Sequence, residues 1–171
     1  MDASRRSLLK GNFHQLTYKI KRLPWLTSLD DFLDQCTQCG ECISACETGI
    51  IRKDLNQFPA IDFSNNECTF CAKCVQVCDQ LMFVPVTANP WNYVATIKES
   101  CLTNSGVVCS SCKEACDYDA ISIHYEFGQV PKPIVNSEAC RGCGACESAC
   151  PNTAIEIFSE TEISTAEEPT S

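Results

Sequence analysis

Sixteen cysteines in 171 residues fall into four groups and account for most of the chemistry the chain can do. The first group is CTQCGECISAC, with Cys36, Cys39, Cys42 and Cys46; the second is CTFCAKCVQVC, with Cys68, Cys71, Cys74 and Cys78. The fourth, CRGCGACESACP, holds Cys140, Cys143, Cys146 and Cys150, and all three share the spacing C-x2-C-x2-C-x3-C. The third group is stretched to C-x7-C-x2-C-x3-C, with Cys101, Cys109, Cys112 and Cys116. The regular spacing is the ligand run of bacterial [4Fe–4S] ferredoxins, in which the fourth cysteine ligates the other cluster of a pair. Three thiolates two residues apart curl around a compact cluster, and the fourth, on the helical turn that follows, points to the neighbour.

By that rule Cys36, Cys39, Cys42 and Cys78 form one ligand set, and Cys68, Cys71, Cys74 and Cys46 a second. Cys140, Cys143, Cys146 and Cys116 form a third set, and Cys101, Cys109, Cys112 and Cys150 the last; spacing alone leaves other pairings open. Structural zinc prefers two C-x2-4-C pairs a dozen or more residues apart, which fits runs this dense poorly. Disulfides need an oxidising compartment, and cysteines so crowded would scramble. A redox C-x-x-C needs a thioredoxin-like context that is absent here. Three regular clusters therefore follow from the pattern, with a fourth expected at the stretched group. The alternative there is that Cys101 is not a ligand, leaving a three-cysteine cluster or an empty site.

Charge near these runs sets potential. The proline that usually follows the fourth cysteine survives only as Pro151, with Glu47, Asp79 and Asp117 at the other three places. Negative charge disfavours adding an electron, so mostly low potentials are expected, with Arg141 raising its own cluster and Lys73 and Lys113 acting more weakly. His14 and His124 are isolated, and no GxGxxG, P-loop or GxSxG motif is present, so the chain is expected not to be an enzyme.

The elements that position the cysteines follow from the repeat. Five residues after each last cysteine stands an apolar side chain: Ile51, Phe83, Ile121 and Ile155. FPAIDFSNNEC aligns with VPKPIVNSEAC, placing Pro59 over Pro131 and Phe63 over Val135. Each unit reads as short strand, cysteine loop, one or two helical turns, short strand; ISIHY (121–125) and IEIF (155–158) alternate as strands do. The predicted fold class is α+β, a tandem bacterial-ferredoxin-like arrangement of four such units around [4Fe–4S] clusters. The predicted boundaries are a basic arm or helix (1–28), a first two-cluster half (29–88), a second half (89–158) and an acidic disordered tail (159–171). The arm carries a net +5 and the remainder −14, giving −9 overall. An acidic body argues against nucleic acid, and no apolar run is long enough for a transmembrane helix.

The start MDASRRSLLKG, the Pro24–Trp25 pair and the four cysteine groups with the third opened to C-x7-C resemble the NapF family. These are ferredoxin-type accessory proteins of periplasmic nitrate reductase systems. The resemblance spans nearly the whole chain and carries over the cysteines one by one. It implies a cytoplasmic protein that meets the precursor of the molybdenum-containing catalytic subunit before export and assists its maturation. A soluble electron carrier, or an electron-wiring subunit of a larger complex, is the alternative reading.

SRRSLLK (4–10) looks like a twin-arginine export signal, which needs a following apolar segment and a small-residue cleavage site. Here Lys19, Lys21 and Arg22 interrupt that segment. Phe13, Leu16, Ile20 and Leu23 are instead spaced along one helical face, which suits a partner groove or a membrane surface. The alternative is a helix folded back on the chain's own acidic body. Arg5 and Arg6 are accordingly expected to bind a partner, and the protein to stay in the cytoplasm.

Overall fold

The computed structural model describes residues 20–159. Helix α1 (Leu29–Gln35) opens the first cysteine region, and α2 (Glu41–Ala45) lies within the first group. Strands β1 (Ile51–Lys53) and β2 (Pro59–Ile61) form a hairpin leading to the second group, which contains α3 (Lys73–Gln76). Strand β3 (Tyr93–Ile97) precedes a 3-10 turn at Leu102–Ser105 and α4 (Ser111–Glu114). A second hairpin, β4 (Ile121–His124) with β5 (Lys132–Val135), leads to α5 (Ala145–Ser148) and β6 (Ile155–Ser159).

All three sheets are two-stranded and antiparallel: β1 with β2, β4 with β5, and β3 with β6. The first two are local hairpins, whereas β3 and β6 join segments on either side of the third and fourth cysteine groups. A single bridge, Leu26 to Phe83, plays the same part around the first two groups. The apolar residues placed five after each last cysteine all lie in these pairings. Ile51 sits opposite Ile61, Ile121 opposite Val135 and Ile155 opposite Ile97.

The hairpins correct the alignment drawn from the sequence. Asp62 N–H donates to Ile50 C=O and Asn136 N–H to Ala120 C=O, each at 2.8 Å. Asp62 Oδ1 then accepts from Ser64 N–H and Asn136 Oδ1 from Glu138 N–H, so Asp62 and Asn136 are the matching residues. Val135 therefore matches Ile61, not Phe63, because five residues lie between Asp62 and Cys68 but only three between Asn136 and Cys140. Sequence alternation has a period of two, so a slip of two leaves the buried face unchanged and passes unseen.

Two further expectations change. Each one-turn helix α2 to α5 sits inside its cysteine group, holding the third cysteine and ending before the fourth. The chain at Ile20–Trp25 is not helical, so Leu23 does not continue a helical apolar face. It is 3% exposed and belongs to the core, which also takes in Ile50, Ile51, Ile61, Phe63, Ile121, Ile155 and Ile157. Arg22, expected on a basic arm, is 6% exposed, with an Nη2–Oδ2 ion pair of 2.8 Å to Asp54 and an Nη1–H bond to Pro59 C=O. Helix α1 was not expected, although Ser28 caps it by accepting from Asp31 N–H, the signature of an N-terminus. No helix among the described residues is long and apolar enough to cross a membrane.

Candidate metal centres

Each regular run wraps through the same backbone device. The residue before the second cysteine and the residue after it both have positive φ: Gln38 and Gly40, Phe70 and Ala72, Gly142 and Gly144. Two left-handed residues close together turn the chain tightly enough for three thiols to face one point. They cost about 1–2 kcal/mol each for a residue with a side chain, which Gln38, Phe70 and Ala72 bear. The third cysteine of each group, Cys42, Cys74, Cys112 or Cys146, then enters its one-turn helix and is buried.

The cavities these loops enclose bring together cysteines far apart in sequence. Cys36, Cys39, Cys42 and Cys78 line one cavity, closed by Leu23, Met82 and Phe83. Cys46, Cys68, Cys71 and Cys74 line a second, walled by Trp25, Ile50, Ile61 and Phe70. Cys116, Cys140, Cys143 and Cys146 line a third, with Ala95, Ile121 and Ile157. In every case three cysteines come from one group and one from its neighbour. Around the stretched group, burial first and then the nearby charges of Cys101 and Cys109 raise the Cys112 thiol. The turn after Cys150 is tied to the same region, with Asn152 Nδ2–H donating to Ser100 C=O at 2.6 Å.

Proton affinities fit crowded thiol donors. Burial, then the neighbouring cysteines Cys36, Cys39 and Cys78, push the Cys42 thiol up to about 11. Burial and then Cys68 and Cys42 push Cys74 to about 12, and burial with Cys140 and Cys143 does the same to Cys146. A cation-rich core at the centre of each cavity removes that mutual repulsion, so these donor sets fit [4Fe–4S] clusters. Backbone amides already point at several sulfurs: Ala95 N–H at Cys140 (3.4 Å) and Ala154 N–H at Cys150 (3.2 Å). At Cys46 burial alone would raise the thiol. The Thr48 hydroxyl and the amides of Ile50, Ile51 and Gly49 outweigh it and hold the value below the ordinary one. Hydrogen bonds to sulfur of this kind are a lever on cluster potential.

The charges expected to tune potential are placed differently from one another. Lys73 is ion-paired with Glu47, so its charge is largely balanced. Arg141 is exposed, lines the third cavity, and acts on the neighbouring Tyr118. His124 lies 3.6 Å from Glu126 at the end of β4, away from the cavities. Arg5, Arg6, His14 and the tail beyond Ser159 fall outside the described residues.

Sequence reasoning missed an aromatic cluster between the cysteine loops. Trp91 meets Phe70 at 5.5 Å and Phe63 at 6.1 Å, both edge-on, and Tyr93 at 5.0 Å. Its Nε1–H donates to Arg141 C=O at 2.9 Å. The stretch PWNY (90–93) carried the signal, since two large aromatic side chains, Trp91 and Tyr93, stand there beside a proline.

Fold and donor sets define a ferredoxin-type iron–sulfur protein. Two family models described as "4Fe-4S dicluster domain" match residues 35–83 and 107–154. The second match begins after Cys101, so the stretched cysteine is where the chain departs from the common pattern. The chain belongs to the NapF family of ferredoxin-type proteins. It is 38% identical over 155 residues to "Ferredoxin-type protein NapF" of Escherichia coli, covering 91% of this chain and 94% of that one. It is 41% identical over 162 residues to the Haemophilus influenzae protein of the same name, covering 90% and 92%. A more distant relative is "Methylamine utilization ferredoxin-type protein MauM" of Paracoccus denitrificans, 31% identical over 147 residues, 75% of this chain and 66% of that one.

Proposed function

We propose that this protein is a cytoplasmic polyferredoxin of four units that carries four [4Fe–4S] clusters. In this reading it serves maturation of the catalytic subunit of a periplasmic nitrate reductase before export, supplying it with electrons or a cluster. Cys36, Cys39, Cys42 and Cys78 hold the first cluster, and Cys46, Cys68, Cys71 and Cys74 the second. Cys116, Cys140, Cys143 and Cys146 hold the third, and Cys101, Cys109, Cys112 and Cys150 the fourth. The observation that carries the first three assignments is the three-plus-one lining of their cavities, and the fourth rests on the same spacing rule. The maturation role rests on likeness to NapF proteins across nine-tenths of the chain.

When bound, a cluster supplies one-electron storage; the chain's residues fix its ligands, exclude water and set its potential. The protein itself transforms no substrate. Anaerobically purified protein is expected to contain about sixteen irons and sixteen sulfides under this ligand rule, and about twelve would leave the stretched group without a cluster. The assembly role is tested by binding to the catalytic subunit before and after its own cofactors are inserted. Preference for the immature form is expected; equal binding to both forms favours the plain electron carrier. Replacing Arg5 and Arg6 by Ala is expected to weaken that binding while leaving iron content unchanged. A folded reporter fused to residues 1–35 is expected to remain in the cytoplasm, and twin-arginine-dependent export would overturn that placement.

A further inference from the structure

We propose that contact between the Cys68–Cys74 and Cys140–Cys146 loops is the electron junction between the two halves of the chain. The four ligand sets then stand in one line, in the order Cys36 set, Cys68 set, Cys140 set, Cys101 set. This rests on the reading above that these cysteines ligate [4Fe–4S] clusters.

The junction is a hydrogen bond between two proposed ligand residues: Cys68 N–H donates to Cys143 C=O at 2.8 Å. Cys68 lines one cavity and Cys143 the other. The two sulfurs are thus linked through their own Cβ and Cα atoms and one short hydrogen bond. Phe63 leans on Gly144 from the Cys68 side, and Trp91 spans both loops by packing on Phe70 and binding Arg141 C=O. These aromatic side chains hold the two loops against one another at the contact.

The order along the line follows from the other contacts. Within each half the one-turn helices pack in pairs, α2 on α3 and α4 on α5, each bearing a buried third cysteine. Cys78 of the second group lines the Cys36 cavity, and Cys116 of the third group lines the Cys140 cavity. Each half therefore supplies one inner set, and the Cys68–Cys143 bond joins the inner sets. The step moves one electron across that bond: one side is oxidised, the other reduced, no bond breaks and no proton moves. The electron comes from an external low-potential one-electron donor.

The test uses the full chain with Cys36→Ser, Cys39→Ser, Cys101→Ser and Cys109→Ser, which spares both inner sets. About eight irons are expected under the ligand rule. After full reduction with a europium(II) chelate, electron paramagnetic resonance should show two interacting spins, with splittings that do not change between two microwave frequencies. Two superimposed signals without interaction would overturn the junction. Should that variant fail to assemble, amide exchange on the unmodified, cluster-loaded chain decides. The Cys68 amide should exchange at least about ten-fold more slowly than that of exposed Asn65, and equal rates would overturn the proposal. Twelve irons in the unmodified chain would refute the outer Cys101 set and leave the junction standing, since each inner set draws three ligands from a regular group and all four line one cavity.

Discussion

Position for position, Gly40, Ala72 and Gly144 stand one residue after the second cysteine of their groups, at φ of 86°, 58° and 90°. The same conformation places three different demands on substitution. A Cβ at Gly40 meets nothing within 4 Å, so Gly40→Ala is expected to cost only the left-handed penalty, about 1 kcal/mol. At Gly144 the Cβ falls on the Phe63 ring, itself 1% exposed in the core. Gly144→Ala is therefore expected to cost about 3 kcal/mol or more, from overpacking added to strain. Ala72→Gly runs the other way, with a gain below about 1 kcal/mol, because relief of strain is offset by a looser unfolded chain. Anaerobic denaturant unfolding of the three variants checks the ranking. Asp62 offers a second test at this scale. Hydrogen bonds from the Ser64 hydroxyl and amide hold its carboxylate below the usual range, yet Asn136 makes the matching turn with a neutral amide. Asp62→Asn should thus change stability by less than about 1 kcal/mol, the exposed pair with Arg52 adding little. Asp62→Ala should cost about 1 kcal/mol through loss of the capping acceptor.

Among the elements, the β1–β2 hairpin is fixed by one buried ion pair. Asp54 Oδ1 accepts from the amides of Asn56 and Phe58 at the turn, while Oδ2 faces Arg22, whose guanidinium lies 5.2 Å from the Phe32 ring centre. Both partners are under a tenth exposed. Arg22→Met leaves the carboxylate buried without its cation and is expected to cost about 3–5 kcal/mol. Adding Asp54→Asn keeps the turn acceptor, removes the stranded charge and should recover most of that loss; a double-mutant cycle measures it. This pair also marks where reading the sequence reached its limit. The cysteine runs state their own spacing, and Ile51, Phe83, Ile121 and Ile155 announce the pairings that flank them, because local chemistry fixes both. Arg22 and Leu23 belong to a basic, apolar-spaced segment that reads equally well as an arm. Only their tertiary partners, Asp54 and the core around Ile61, decide otherwise. The Cys68–Cys143 contact was invisible for the same reason: nothing within either loop encodes which other loop it will meet.

Taken whole, the chain carries a formal charge of −9, and each [4Fe–4S]²⁺ core with its four thiolates contributes −2 to the holoprotein. Every added electron therefore enters a negative field, and that field reaches solvent, where salt screens it over about 30 Å at 0.01 M and about 3 Å at 1 M. Midpoint potentials are expected to rise with ionic strength, on the order of tens of millivolts, since about 59 mV corresponds to a tenfold change in a one-electron equilibrium. Film voltammetry across that range checks the sign, and potentials that stay flat would show the clusters to be shielded from the surface charge. Two lysine-or-arginine changes separate net charge from local charge. Arg141 faces the cavity of Cys140 and is exposed without an ion-pair partner among those found for the described residues. Arg141→Gln should lower one potential more than the others. Lys73 adjoins Cys74 of its own set in sequence but is balanced by Glu47. Lys73→Gln should move its cluster much less, although both substitutions change the total by one charge. Equal shifts from the two would mean that the field of the whole molecule, and not the groups lining each cavity, sets the potentials.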